Sequence, residues 1–195
     1  MFIVAIKNFI CVIALLVMSP IFVVAAFLIA AEDGFPVFFS QQRIGLHEEL
    51  FTIYKIRTMK INTPQSGTHN INHKYKLKIG MLLRKIKLDE FPQLVNVIRG
   101  ELNLVGPRPG LENQTELRMS RFERNIFDVK PGITGLSQIL GYDMSNPEQL
   151  AQIDQMYILN QTLRVDFLIL IGTFFNFPRN YLAAELNIRN LKNNT

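Results

Sequence analysis

The chain has 195 residues, of which 48% are apolar, and its 21 Lys and Arg outnumber its 16 Asp and Glu to give a net charge of +5. This length fits one soluble-sized domain together with a membrane element. The single cysteine, Cys11, excludes an intramolecular disulfide, and its place in an apolar run predicts packing or lipid contact. The positive charge predicts an anionic partner, with a phospholipid surface, a phosphorylated substrate and nucleic acid all left open.

The amino-terminal segment contains no charged residue between Lys7 and Glu32. About 20 apolar residues suffice to cross a bilayer, so we expect this segment to be membrane-embedded. Ser19 and Pro20 fall in its middle, where proline removes a backbone hydrogen bond and serine can bond back to the backbone, so we predict a sharp bend. Positive charge at both ends favours a re-entrant hairpin. A kinked spanning anchor and a cleaved signal peptide are the alternatives.

The next segment, residues 36–59, is rich in aromatic and β-branched residues around a glycine-containing turn. This pattern predicts a short β-hairpin that ends in the basic residues Lys55 and Arg57. The polar residues 60–74 predict a mobile loop. His69 and His73 lie four residues apart there, but Pro64 and the nearby asparagines argue against a helix, so we do not predict a metal site.

Two helical segments are predicted on either side of the adjacent acids Asp89 and Glu90. Apolar residues at helical spacing define them, with Gly100 as the stop: Ile79, Leu82, Leu83 and Ile86, then Phe91, Leu94, Val95 and Ile98. Because proline is tolerated only in a first turn, Pro92 places the start of the second helix at about Asp89. Residues 164–178 predict an interfacial or docking helix. The Asn-rich residues 187–195 predict a frayed end.

The acidic pair has an ordinary structural explanation when it is considered alone. Acids in a first helical turn are stabilised by the helix dipole, by about 0.3–1 kcal/mol each. The surroundings favour a second interpretation, since Arg84 precedes the pair and Arg108 follows it in the stiff turn Gly-Pro-Arg-Pro. Guanidinium groups match phosphate oxygens. A second Gly/Pro segment, residues 130–135, is a weak further indication of phosphate binding.

Several motifs occur in a specific order along nearly the whole chain. They are the Ser19-Pro20 break in an apolar helix, QQRIG at 41–45, YKIRTM at 54–59, LRKIKLDEFPQLVNVIRGELNLVGPRP at 83–109 and KPGITGLSQI at 130–139. In these motifs the chain resembles the bacterial monotopic phosphoglycosyl transferases, or sugar transferases. Such enzymes move a sugar 1-phosphate from a nucleoside diphosphate sugar to a polyprenyl phosphate.

The resemblance implies a mostly α fold with a small β-hairpin, a re-entrant membrane helix over residues 1–33 and a catalytic domain over residues 34–195. Membrane-surface amphipathic helices are part of that expectation. It also implies a location at the bacterial inner membrane, with the catalytic domain facing the cytoplasm. Nucleotide sugar, polyprenyl phosphate and membrane lipids are then the expected partners, with downstream glycosyltransferases as further candidates and no nucleic acid. A UDP-sugar is the expected donor, whereas the sugar itself and the glycan pathway stay open.

The same resemblance implies roles for particular residues. Asp89 would be the nucleophile, and Glu90, together with Asp89, would hold Mg²⁺. The basic groups expected to bind substrate are Arg84, Arg108, Lys55 and Arg57. Lys87 departs from the family pattern, because serine or threonine is common at that position and could cap the following helix.

One interpretation from another functional class also accounts for the composition. A non-catalytic, membrane-anchored basic protein that binds anionic lipid or nucleic acid would explain the apolar segment and the net charge of +5. It gives no reason, however, for two adjacent acids at the centre of a basic stretch.

Overall fold

The computed structural model describes residues 2–63, 75–186 and 188. The predicted loop lies outside the described residues from position 64 onward, including His69 and His73, and so does most of the Asn-rich end. The fold is mostly helical with a small hairpin, which confirms the predicted class. The chain forms two compact units, one of Met1–Gln41 and Thr52–Arg99 and the other of Gln42–Phe51 and Gly100–Thr195. The predicted boundary at residue 33 concerns the membrane and stays a prediction.

Helix α1, Phe2–Asp33, contains the uncharged segment and belongs to the first unit. Among the described residues it is the one helix that is long and apolar enough to cross a membrane. Pro20 lies inside it, and the hydroxyl of Ser19 donates to the carbonyl of Leu16 at 2.7 Å, as predicted for this residue. The helix is assigned as continuous through Pro20, and the expected sharp bend stays a prediction.

The predicted hairpin is confirmed as strands β1, Phe38–Ile44, and β2, Leu50–Ile56, joined by a 3₁₀ turn over Leu46–Glu48. Its core-facing residue Ile56 packs with apolar residues from the other elements of the first unit. These buried residues are Ala25, Ile29, Leu77, Leu83 and Leu88. The carboxyl half of α1 therefore packs against Leu83 and Leu88, which precede the acidic pair, rather than extending away from them.

The acidic pair lies between helix α2, Lys78–Lys85, and helix α3, Leu94–Ile98, as predicted. The expected α-helical start at Asp89 is wrong in one respect, because a 3₁₀ helix spans Leu88–Gln93 and α3 begins only after it. Pro92 explains the difference. In an α-helix it would have to donate to the carbonyl of Leu88, and proline has no N–H to donate. Gly100, with φ +80°, ends the segment as predicted.

The second unit contains a short parallel pair, β3 at Asn103–Val105 and β4 at Gly132–Thr134. The described part of this unit also contains five α-helices: α4 Thr115–Phe122, α5 Leu136–Leu140, α6 Pro147–Leu159, α7 Leu163–Gly172 and α8 Asn176–Glu185. Fully buried residues from this set, including Leu136, Ile153, Ile169 and Leu182, form its core.

The Gly/Pro segment at residues 130–135 has a packing role in the fold. A Cβ atom on Gly132 would lie 2.1 Å from the backbone nitrogen of Gly106, and one on Gly135 would lie 2.3 Å from the carbonyl oxygen of Gly106. Side chains at these positions would therefore separate the two backbones. The close approach accounts for these glycines without any bound phosphate.

The single helix predicted over residues 164–178 is in fact two helices, because α7 ends at Gly172 and α8 begins at Asn176. Val165 and Ile169 of α7 are buried, whereas Phe167 on α7 and Phe177 on α8 are exposed. Apolar side chains therefore lie on both the buried and the exposed sides of these helices, which is not the polar outer face of an amphipathic helix. Their contact with a membrane surface stays a prediction.

Candidate active site

The acidic pair is held in the 3₁₀ helix between α2 and α3. Asp89 is 7% exposed, between the buried side chains of Leu88 and Pro92, whereas Glu90 is partly exposed. The next residue, Phe91, contacts Phe22 of α1 edge to face, with ring centroids 6.3 Å apart. The pair therefore lies beside the apolar helix, close to the predicted break at Ser19 and Pro20.

Lys55 on β2 and Glu90 form an ion pair. The ammonium Nζ donates to Oε1 at 2.7 Å, and the two side chains are 15% and 14% exposed. Because the pair is mostly shielded from water, it is less weakened by salt than a surface pair would be. The structure thus pairs Lys55, a predicted substrate-binding cation, with Glu90, a predicted metal ligand.

Arg84 is oriented by Thr58, two residues after the strand that carries Lys55. Its Nε donates to the hydroxyl of Thr58 at 2.8 Å. The backbone carbonyl of Thr58 accepts from Leu77 N at 3.1 Å, and a Cβ on Gly80 would lie 2.3 Å from that carbonyl oxygen. The absence of a side chain at Gly80 therefore permits α2 to approach the backbone of Thr58, which orients Arg84.

Arg57 is 6% exposed, and both of its Nη nitrogens donate within the protein. Nη1 bonds to the carboxylate of Asp33, and Nη2 bonds to the carbonyls of Asp33 and Gly34. A cation at the last carbonyls of a helix is favoured by the helix dipole. The structure therefore gives Arg57 the task of fixing the end of α1, and its predicted contact with substrate stays a prediction.

Arg108 belongs to the second unit, whereas the acids and the other three predicted cations belong to the first. It follows β3 and is partly buried between the buried residues Pro107 and Pro109. A bend at Gly106 is assigned before this segment, the stiff turn stays a prediction, and the backbone carbonyl of Arg108 accepts a hydrogen bond within this unit.

The acidic pair suits one kind of metal ion. No group of three or more His, Cys, Asp and Glu side chains suited to a metal occurs in the described part of the chain. Mg²⁺ does not require such a group, since it commonly binds one or two carboxylates, several waters and the phosphates of a substrate. Asp89 and Glu90 therefore fit Mg²⁺ shared with a phosphorylated substrate.

Sequence reasoning missed the residues that attach α1 to the site. The two oxygens of the Glu32 carboxylate accept from the backbone nitrogens of Lys78 and Ile79, at 2.7 and 3.2 Å. Glu32 thus caps α2 from a distant part of the chain, in place of Leu77, whose side chain makes no capping bond. The one available signal was that Glu32 and Asp33 are the first charges after the apolar run.

Comparison with known proteins places the chain among sugar transferases. A family model described as bacterial sugar transferase matches residues 2–180. The chain is 42% identical over 140 residues to EpsL, an uncharacterized sugar transferase of Bacillus subtilis, across 72% of this chain and 69% of the relative. It is 35% identical over 182 residues to the exopolysaccharide production protein ExoY of Sinorhizobium fredii, across 84% and 80%.

A larger relative carries a more explicit name. The UDP-N-acetylgalactosamine-undecaprenyl-phosphate N-acetylgalactosaminephosphotransferase of Aeromonas hydrophila is 36% identical over 173 residues. The match covers 83% of this chain and 40% of that protein. The residues matched by the family model include the acidic pair and most of both compact units.

Proposed function

The chain belongs to the bacterial sugar transferase family and is a transferase enzyme, and on that premise we propose that it transfers a sugar 1-phosphate to polyprenyl phosphate. The proposed donor is a nucleoside diphosphate sugar, with UDP as the expected nucleotide. The name of the Aeromonas relative, which contains both UDP and undecaprenyl phosphate, supports this choice. The observation that carries the proposal is the buried Asp89 beside a Glu90 that is ion-paired with Lys55.

In the proposed reaction Asp89 acts as a nucleophile. A carboxylate oxygen attacks the phosphorus that bears the sugar, and the bond from that phosphorus to the nucleoside monophosphate breaks, so the nucleotide leaves with the electron pair. The product is an acyl phosphate that joins Asp89 to the sugar phosphate. A phosphate oxygen of polyprenyl phosphate then attacks the same phosphorus, which frees the carboxylate and gives a lipid diphosphate sugar. Such a covalent intermediate divides one difficult transfer into two easier ones.

The 3₁₀ geometry supports separate roles for the two acids. With three residues per turn, neighbouring side chains point about 120° apart, so the carboxylates of Asp89 and Glu90 face different directions. Asp89 is the more buried of the two, and a carboxylate with few waters has less hydration to lose before attack. Glu90 is oriented instead by Lys55.

The carboxylate of Asp89 and the substrate diphosphate repel each other, and this repulsion has to be offset. We propose that Arg84 and Arg108 bind phosphate oxygens and that Glu90, with Asp89, holds Mg²⁺. When bound, the ion neutralises charge on the phosphate oxygens. Lys55 keeps Glu90 oriented and supplies a further positive charge next to it.

Contacts at both ends of α1 support the proposed re-entrant arrangement. Near its start, Asn8 Nδ2 donates to the carbonyl of Ile98 at 3.5 Å, and at its end Asp33 bonds to Arg57. The 26 helical residues from Asn8 to Asp33 would extend about 39 Å if straight, more than the hydrocarbon thickness of about 30 Å. A simple span would put the two ends on opposite sides of the membrane, yet both contact the same unit.

Membrane association is supported by the apolar α1 and by the undecaprenyl phosphate in the name of the Aeromonas relative. We propose the inner membrane with the catalytic residues on the cytoplasmic side, since Lys7 precedes the uncharged segment of α1 and Arg43 is the first basic residue after it. Membership in an enzyme family disfavours the non-catalytic alternative, which also leaves the ion-paired, largely shielded Glu90 unexplained.

The test is transfer in isolated membranes. Radiolabelled UDP-sugars, polyprenyl phosphate and Mg²⁺ should give a lipid-extractable, labelled sugar phosphate with the wild type, and Asp89→Asn should abolish it. Glu123→Gln provides a matched control, because that carboxylate side chain is 68% exposed and lies outside the site. Unchanged transfer in Asp89→Asn would refute the nucleophile. Absence of labelled lipid with every nucleotide sugar would refute the proposed function.

A further inference from the structure

Four consecutive backbone carbonyls at residues 107–110, the predicted turn that carries Arg108, accept hydrogen bonds from other elements of the second unit. The accepting residues and their donors are Pro107 with Gly132 N at 2.9 Å, Arg108 with Arg121 Nη1 at 2.7 Å, Pro109 with Arg43 Nη1 at 3.1 Å, and Gly110 with Ile44 N at 3.1 Å. We propose that Arg43 and Arg121 are positioning residues that hold Arg108 ready for the phosphates of the nucleotide sugar. This inference rests on the function proposed above.

The need for outside donors follows from the composition of the turn. Two of its four residues are proline, which fixes φ and has no N–H, so neighbouring residues cannot supply all the hydrogen bonds that the turn requires. Three of the four residues are buried, where an unpaired carbonyl would cost roughly 1–3 kcal/mol. Side chains and backbone amides from β1, α4 and β4 provide these bonds instead.

Arg121 is itself held in place, which makes it a rigid donor. It is 2% exposed, and its Nε and Nη2 donate to one oxygen of Asp154, at 3.1 and 2.5 Å. The other oxygen of Asp154 accepts from Ser137 at 2.9 Å. With its fork fixed on Asp154, Arg121 presents Nη1 to the carbonyl of Arg108, and small movements of that carbonyl are opposed by the buried network.

Arg43, which precedes the turn in the chain, also donates a hydrogen bond to it. It is partly exposed near the end of β1, and its neighbour Ile44 donates through its backbone to the adjacent carbonyl. One edge of β1 therefore bonds to two successive residues of the turn, Pro109 and Gly110. An arginine whose backbone cannot shift loses less freedom when its guanidinium binds a phosphate, and such preorganisation improves binding.

Arg43→Met is the main test, because Arg43 is partly exposed and its loss should not unfold the protein. Arg118→Met is the matched control. Arg118 lies on α4, pairs with Glu48 near β1 and donates to none of the four carbonyls through a described bond. The measurements are KM and kcat for the nucleotide sugar, the Kd for UDP, and hydrogen exchange at the amides of Ile44 and Gly132, which donate to the turn.

We expect Arg43→Met to raise KM and the Kd for UDP about three- to tenfold, the factor that corresponds to the loss of one hydrogen bond, with a smaller change in kcat. Exchange at the Ile44 amide should become faster. Arg43→Lys should restore part of the affinity, because its ammonium can donate to Pro109. In an Arg108→Met background the Arg43→Met effect should disappear, since the guanidinium that it positions is absent.

The proposal is overturned if Arg43→Met behaves like Arg118→Met, or if its full effect persists in the Arg108→Met background. UDP binding separates these outcomes from a failure of the proposed function. If the wild type transfers no sugar but Arg43→Met and Arg108→Met each weaken UDP binding, the positioning role stands and the transfer reaction does not. If transfer occurs and neither variant alters KM or UDP binding, the transfer reaction stands and the positioning role does not.

Discussion

The buried ion pair of Arg121 and Asp154 allows a stability prediction with a definite magnitude. Their side chains are 3% and 2% exposed, and Ser137 donates to the same carboxylate. Asp154→Ala leaves a guanidinium in the interior without its counterion, a change that costs about 3–5 kcal/mol. In a chain of this size each 1 kcal/mol shifts the unfolding midpoint by about 2–4 °C, so we expect a fall of about 6–20 °C.

The double variant Arg121→Met and Asp154→Leu should be much less damaging, because replacing a whole buried pair by apolar residues is often neutral. A residual cost of about 1 kcal/mol is expected from the lost bond to the carbonyl of Arg108. Glu185→Ala, which breaks the exposed pair with Arg164, should cost at most about 1 kcal/mol. The assay is thermal unfolding in one detergent, followed by circular dichroism. A double variant as unstable as Asp154→Ala would refute the reasoning.

Four further predictions concern other parts of the molecule. Lys87 adopts φ +60°, so Lys87→Gly should raise stability by about 0.5–1 kcal/mol, measured as a higher unfolding midpoint, and no gain would contradict a strained backbone. Glu32→Ala should lower stability by about 0.5–2 kcal/mol through the loss of its capping bonds, and an unchanged midpoint would contradict this role. Burial, aided by a hydrogen bond to Asp166, raises the pKa of Tyr157, so its stabilising effect is complete below the unfolded value of about 10 and is lost as pH rises above it. Tyr157→Phe should therefore weaken the alkaline decline in the unfolding midpoint, and an identical decline would contradict this assignment. A cysteine placed at Phe2 in a cysteine-free background should react with impermeant reagents only from the cytoplasmic side, whereas labelling from outside would mean that α1 spans the membrane.

Local chemistry was enough to predict some elements of the fold. The aromatic and β-branched residues around a glycine-containing turn predicted the hairpin, and the spacing of Ile79, Leu82 and Leu83 predicted α2. The junction at the acidic pair was also predicted, because Pro92 restricts the backbone of its immediate neighbours. These features depend on interactions within a few residues of one another.

Other features depend on residues that meet only in the folded chain. The parallel pairing of β3 with β4 requires contact between Gly106 and Gly132, so the segment at 130–135 looked like an isolated turn. Arg57 looked like a free cation for substrate, because nothing local reveals that Asp33 and Gly34 accept its hydrogen bonds. Long-range partners of this kind cannot be identified from spacing or composition.

Lys87 shows why a family pattern can differ at one position without loss of the fold. The side-chain cap expected from serine or threonine is absent, and Lys87 instead occupies the left-handed conformation that ends α2 and begins the 3₁₀ helix. Its backbone carbonyl accepts from Glu90 N at 3.4 Å, so part of the turn is maintained by the main chain. The residue at this position is therefore constrained more by φ than by capping.

The most direct test of the proposed mechanism is the mass of the intact protein after incubation with the nucleotide sugar and Mg²⁺, without polyprenyl phosphate. The wild type should gain the mass of one sugar phosphate, peptide mapping should place it on Asp89, and added polyprenyl phosphate should remove it. Asp89→Asn should show no gain, and Glu123→Gln should behave like the wild type. Transfer without any adduct on the time scale of turnover, or an equal adduct in Asp89→Asn, would contradict the role of Asp89.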